Sequence, residues 1–345
     1  MSKSNKSPLG IFTESIGLYF SNFDKFFRYM SFPVLGQIVG MILVFLLTYF
    51  YAKELPNLIG RIPALNNLTV LLTLAILITL PGLAIFCKAF WEYLVAYGAL
   101  NSMFQNMLKS GKVYDYDAHT ELIKRRALPF IGLWLLFGLF SLLALVPFLF
   151  WVPCIILAVY FVLVFQVFTF EPDLSPIGCV KRSFQIVKGH FSSTFLLIAL
   201  VGALTYIFIP QLVNMFFDYV NLTDYLSKII SPFISELPIS QWNQFLSYFY
   251  LPTISVKQIA VFTVTIFVAQ IIIQYTLPLR SILWSMWYKE LNGGKLGGVE
   301  TFNKSRKKSS KKPSEKLMEV SNKKYSSKKL DRNILKRAME KTDED

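Results

Sequence analysis

The chain has 345 residues, 54% of them hydrophobic and only 16% charged, with a formal net charge of +14 and a mean hydropathy of +0.48. Soluble domains carry roughly 45–50% apolar and about 25% charged residues, so a water-soluble globular core is excluded. The three cysteines, Cys87, Cys154 and Cys179, form no CxxC and sit in or beside apolar runs, which excludes a disulfide framework and a thiolate metal site.

In chain order, the first element opens at "SPLGIFTESIG" (7–17). Ser7 suits an N-cap and Pro8 the first helical position, where a missing N–H costs nothing. Phe12, Ile16, Tyr19, Phe23 and Phe27 recur at steps of three and four, predicting an amphipathic helix whose apolar face lies in the headgroup layer, with Lys25 and Arg28 on the polar face. No short apolar core with a small-residue cleavage site occurs in the first 28 residues, so the first membrane segment is expected to double as the targeting signal.

Six apolar runs of spanning length follow, at about 30–52, 67–97, 128–149, 152–171, 192–217 and 257–279. In lipid every backbone polar group must be satisfied within the segment, so each run is expected to be a helix. "PFLFWVP" (147–153) predicts a tight turn between the third and fourth. Lys and Arg concentrate in 1–28, in 98–127 (with Lys124, Arg125 and Arg126), in 172–191 (Lys181, Arg182, Lys188) and in the tail, while the opposite loops hold only Lys53, Arg61 and Lys228. The positive-inside rule puts both termini in the cytoplasm of a cell membrane. The segment 218–256 is expected to form one or two short helices on the outer face.

"SPIGCVKRSFQ" (175–185) repeats the opening motif 168 residues further on. Its apolar positions, Val180, Phe184, Val187, Phe191 and Phe195, coincide with those of the first copy, and Ser183 meets Ser15. "NSMFQNMLKSGK" (101–112) returns as "WSMWYKELNGGK" (284–295). The expected unit is surface helix, span, external loop, span. It occurs twice, at about 7–112 and 175–295, as a parallel repeat with the hairpin 128–171 between the copies.

"EPDLSPIGCVKRSFQIVKGHF" (171–191) resembles the signature of bacterial six-span membrane proteins similar to the membrane domain fused to some glycerophosphodiester phosphodiesterases. Glu171, Ser175, Lys181, Arg182, Ser183, Lys188 and Gly189 carry the resemblance, which covers about residues 7–295. It implies a membrane location and a six-helix fold. The phosphodiesterase barrel is missing, so no hydrolase activity carries over.

The residues themselves offer little chemistry. His119 and His190 belong to no metal motif, and GxSxG, GxxxxGK[ST] and GxGxxG are absent from the sequence. No cofactor is therefore expected. Ionisable residues in spans are functional candidates by default, here Lys88 and Glu92 four apart and Arg280 near the end of the sixth run. They read either as an ion pathway or as interfacial residues with Lys88 and Glu92 paired, and their place near the cytoplasmic boundary favours the second. Gln270 and Gln274 share a helix face, as helix–helix contacts or as part of a path.

Residues 289–345 hold 17 Lys and Arg against nine Asp and Glu. With few apolar residues, 296–345 is expected to be a disordered basic tail. The run containing Arg306, Lys307, Lys308, Lys311 and Lys312 suits anionic lipid headgroups, or a protein or ribosomal partner; nothing in it suggests sequence-specific nucleic-acid binding. The chain therefore reads as an all-α integral membrane protein with six transmembrane helices. A non-enzymatic scaffold or accessory factor is the leading function. A transporter or channel component using Glu92, Lys88 and the Gln270/Gln274 face is the alternative.

Overall fold

The structure, a computed structural model, describes residues 6–62, 67–110, 116–143 and 151–296. The basic tail, most of the 147–153 turn and the Lys112 end of the first repeat unit lie outside these residues. The chain is all-α, with no strand among the described residues. Among the described residues, five helical segments are long and apolar enough to cross a membrane, or six when the bent pair Tyr116–Lys124 and Ala127–Leu142, which meet at 75°, counts as one. This is the architecture of an all-α membrane protein.

The helices are α1 (Pro8–Ser21), α2 (Phe23–Arg61), α3 (Leu68–Ser110), α4 (Tyr116–Lys124), α5 (Ala127–Leu143), α6 (Trp151–Phe161), α7 (Val164–Phe170) and α8 (Pro176–Val187). They continue with α9 (Phe191–Gly202), a π-helical turn (Ala203–Phe208), α10 (Ile209–Tyr219), α11 (Leu222–Ser235), α12 (Ile239–Tyr248), α13 (Val256–Tyr275) and α14 (Leu277–Leu291). Several differ from the apolar runs in length. With 39 residues, α2 is about 58 Å long at ~1.5 Å per residue, against a hydrocarbon core of roughly 30 Å. The 43-residue α3 carries its span straight on through the 101–110 segment. The sixth run does the opposite. It breaks at Thr276, and Pro278 in the first turn of α14 removes an N–H from the ladder. The 218–256 segment forms two helices; α11 packs on α10 and α13, whereas α12 buries nothing.

Burial is uneven. At the end of the bundle holding α1, α8 and the C-terminal parts of α3 and α14, here the near end, the enclosed side chains include Phe26 of α2, Leu100 and Phe104 of α3, Phe130 of α5, Phe168 of α7, Leu197 of α9 and Tyr288 of α14. Beyond Gly40 in α2, and before Ala89 in α3, only Gly82 is buried. The outer parts of these two helices therefore form a hairpin with apolar side chains such as Phe45, Ile76 and Leu77 facing outward. Glycine holds the crossing. A Cβ on Gly40 would lie 2.5 Å from the Phe86 backbone nitrogen, and one on Gly82 2.8 Å from that of Val44.

Candidate functional site

Both SPxG helices begin as their sequences predict. The Ser7 Oγ accepts from Gly10 N–H at 3.1 Å, and the Ser175 Oγ from Gly178 N–H at 3.2 Å. The inward face is different. In α1 it is Ile11, Ser15 and Tyr19, continued by Asn22 and Phe26; in α8 it is Cys179, Ser183 and Val187, continued by Thr194. Phe23 and Phe27, like Phe184 and Phe195, are exposed instead. The packing stripe thus runs one residue before the apolar stripe at most positions, and Phe23, Phe27, Phe184 and Phe195 of that stripe stay outside it. It does so in both helices. Ser183 donates to the Tyr160 carbonyl at 2.7 Å, and Ser15 to that of Ile11 at 2.7 Å while touching the Met286 sulfur.

Asn101 is the centre of a buried polar knot between α3, α7 and α14. Its Oδ1 accepts from Ser281 (2.6 Å), Ser285 (3.1 Å) and Gln166 Nε2 (3.2 Å), and its Nδ2 donates to the Phe165 carbonyl (3.2 Å). Thr169 adds a hydroxyl to the same cluster. Nearby, the Glu171 carboxylate takes Arg182 Nε at 3.0 Å and the Tyr288 hydroxyl at 2.7 Å, and Arg182 Nη2 donates to Asn292 at 3.1 Å. Arg126 donates to the Phe168 carbonyl at 2.6 Å and stacks on the Phe168 ring. His119 of α4 bridges Ser102 and Asn106 of α3.

The residues singled out from the sequence are dispersed. Glu92 pairs with Lys124 at 2.5 Å instead of with Lys88, whose ammonium lies over the Phe32 ring. The expected Lys88–Glu92 pair is not formed because α4 folds back on α3 and brings Lys124 to the carboxylate. Gln274 accepts from Gln37 of α2, and Gln270, one turn away, is exposed. Arg280 does not reach outward as an interfacial arginine would. It is only 8% exposed, donates to the Ile273 carbonyl and to the Tyr206 hydroxyl, and stacks on the Tyr206 ring. Among the expected headgroup contacts, Lys124, Arg126 and Arg182 are engaged inside the fold, and Arg125 pairs with Glu121. Lys25 donates to Asn22, whereas Arg28, Lys181 and Lys188 are exposed. Arg306, Lys307, Lys308, Lys311 and Lys312 lie outside the described residues.

Two features escaped the sequence reading although a signal existed. Gly36 and Gly40 form a GxxxG pattern, the small-residue spacing that lets two membrane helices touch. Asn101 and Gln105 recur at one helical turn within an apolar run. The π-turn carrying Tyr206 had no such signal. Among the described residues no three His, Cys, Asp or Glu side chains converge to hold a metal ion. No protein-family profile, no curated protein and no solved structure matches this chain.

Proposed function

We propose that the chain is a six-span protein of the cell membrane with both ends cytoplasmic. It is built on a parallel internal repeat and acts without catalysis, as a scaffold or accessory factor. One observation carries this reading: polar contacts at the near end tie α7 and α14 to α3 through Asn101, α8 to α14 through Glu171, and α4 to α3 through Lys124 and Glu92. This block leaves Arg28, Lys181 and Lys188 exposed. Anionic headgroups are the general partner of these cations, and a protein or ribosomal partner is the specific one. The resemblance of 171–191 to a six-span family belongs to the same proposal, with Glu171, Arg182 and Ser183 acting as structural residues. The different partners of Lys88, Glu92 and Gln274 support this reading over the transport alternative.

The test is an inventory by mass spectrometry of what co-purifies in native lipid discs with the full chain and with a form ending at residue 295. A stoichiometric partner lost with the tail is the expected result. Lipid alone in both samples overturns the accessory-factor reading. Glu92→Gln is expected to leave the partner bound.

A further inference from the structure

Arg280 has no carboxylate partner among the described residues, although it is 8% exposed and lies in a helix of a membrane span. Burying an unpaired cation in such a place is costly, and its retention marks a functional position. Part of the cost is offset locally. Ile273 is in the last turn of α13, whose carbonyls carry partial negative charge, and its oxygen accepts from Arg280 Nη2 at 2.9 Å and from the Thr276 hydroxyl at 2.8 Å. Nη1 is occupied by the Tyr206 hydroxyl. A guanidinium carries five N–H groups in a planar fork. Here Nε is buried and finds no acceptor at all.

The surroundings supply hydroxyl and indole groups, which can donate to an oxyanion. Tyr93 and Tyr97 of α3 lie within electrostatic reach of Arg280, with their rings 5.8 Å apart. Trp134 of α5 sets its ring 5.0 Å from that of Tyr97, and its indole N–H is also buried without an acceptor. Tyr206 itself is 51% exposed, and its neighbours Ile207 and Phe208 are 68% and 57% exposed. It sits in the π-helical turn, an irregularity that recurs at functional sites. The tyrosine therefore stands between the arginine and an apolar, outward-facing surface.

We propose that Arg280 and Tyr206 form an oxyanion site for a phosphate, in which the Nε edge of the guanidinium, buried behind the half-exposed Tyr206 in this structure, becomes the principal donor once that ring turns aside, with the headgroup of an anionic phospholipid as the source. Arginine pairs with phosphate through parallel N–H bonds, which the unused Nε edge can provide. Depth favours the lipid. Within the apolar segment Val256–Leu291 the 20 residues of α13 alone span about 30 Å, the thickness of the hydrocarbon core, so with α13 as the crossing part the break at Thr276 falls near headgroup level. The apolar flank at Ile207 and Phe208 is where acyl chains would lie.

The test measures thermal unfolding of the full chain in detergent micelles at about 1 M salt, where a Debye length of ~3 Å suppresses contacts made by exposed cations. Micelles doped with phosphatidylglycerol are compared with micelles doped with phosphatidylcholine, and with undoped micelles in sodium phosphate. Stabilisation by phosphatidylglycerol alone is expected, lost in Arg280→Gln. Arg280→Lys keeps the charge and the contact to α13 but not the planar fork, so it guards against a glutamine variant that fails to fold; about tenfold weaker lipid binding is expected of it. Equal stabilisation by sodium phosphate, lost in the same variants, supports the oxyanion site and assigns it to soluble phosphate. Equal stabilisation by both lipids, or a phosphatidylglycerol effect undiminished in both variants, overturns the proposal.

Discussion

A single asparagine joins three helices at the near end. Asn101 is fully enclosed, and its carboxamide oxygen accepts from three donors on two other helices. Leaving a buried polar group without its partner costs about 1–3 kcal/mol. Serine hydroxyls in helices can turn back to a carbonyl of their own preceding turn, which recovers part of this. Asn101→Leu is therefore expected to destabilise the protein by about 2–4 kcal/mol, and Ser285→Ala by about 1 kcal/mol or less. Denaturant unfolding in detergent measures both. Cys179 offers a second test. Burial on the inner face of α8 pushes its thiol up to about 11, and the nearby Arg126 only partly opposes this. A neutral thiol is thus favoured in the folded state, and its contribution is fully present below the ordinary thiol range. It is lost as pH rises through about 11, because the unfolded chain has ionised first. Stability should fall over that alkaline window in the native protein and stay flatter in Cys179→Ala. A maleimide should leave Cys179 unlabelled at neutral pH unless the chain is unfolded.

At the scale of elements, close approach between α2 and α3 depends on glycine. The Gly40 position leaves no room for a Cβ, which would meet the Phe86 backbone at 2.5 Å. Backbone cannot rotate away as a side chain can, so Gly40→Ala must spread the hairpin. A cost of about 1–3 kcal/mol is expected. Gly17 on α1 has nothing within 4 Å of its would-be Cβ, and Gly17→Ala should be neutral or stabilising by roughly 0.5–1 kcal/mol. The existence of these helices was legible in the sequence, because lipid forces apolar runs to satisfy their own backbone. Their caps were legible too, since Ser7 and Ser175 precede proline. The residues on which α1 packs into the protein were not. Rules for helices in water turn the most apolar face inward, but beside lipid an aromatic stripe such as Phe23 and Phe27 loses nothing by facing out. Small and polar residues such as Ser15 and Asn22 then face the protein. The carboxylate of Glu92 likewise takes Lys124 and not Lys88. Spacing along one helix shows only i,i+4 neighbours, whereas Lys124 arrives from a helix that folds back.

Across the whole molecule, the two halves of the bundle are held by different forces, and this has a measurable consequence. Near-end helices share polar networks that converge on α14: Ser281 and Ser285 contact Asn101, and Tyr288 and Asn292 contact Glu171 and Arg182 one turn further on. The α2–α3 crossing at Gly40 and Gly82 relies on close backbone contact and contributes none of those residues. Substitutions within one network are expected to interact, and distant ones with no shared partner to add within about 0.3–0.5 kcal/mol. Asn101→Leu frees Ser281 and Ser285 and loosens α14 against α3. Glu171→Gln then has less of its remaining energy to lose, because Tyr288 is already displaced with its helix. The double variant should therefore be less damaged than the sum of the singles, by about 0.5–1 kcal/mol or more. Asn101→Leu combined with Gly40→Ala should be additive. Unfolding of the three single variants, the two double variants and the parent chain, under one set of detergent conditions, decides the matter. Additivity in both pairs would show that the near end is a set of independent contacts, and the platform on which the scaffold reading rests would not exist as a unit.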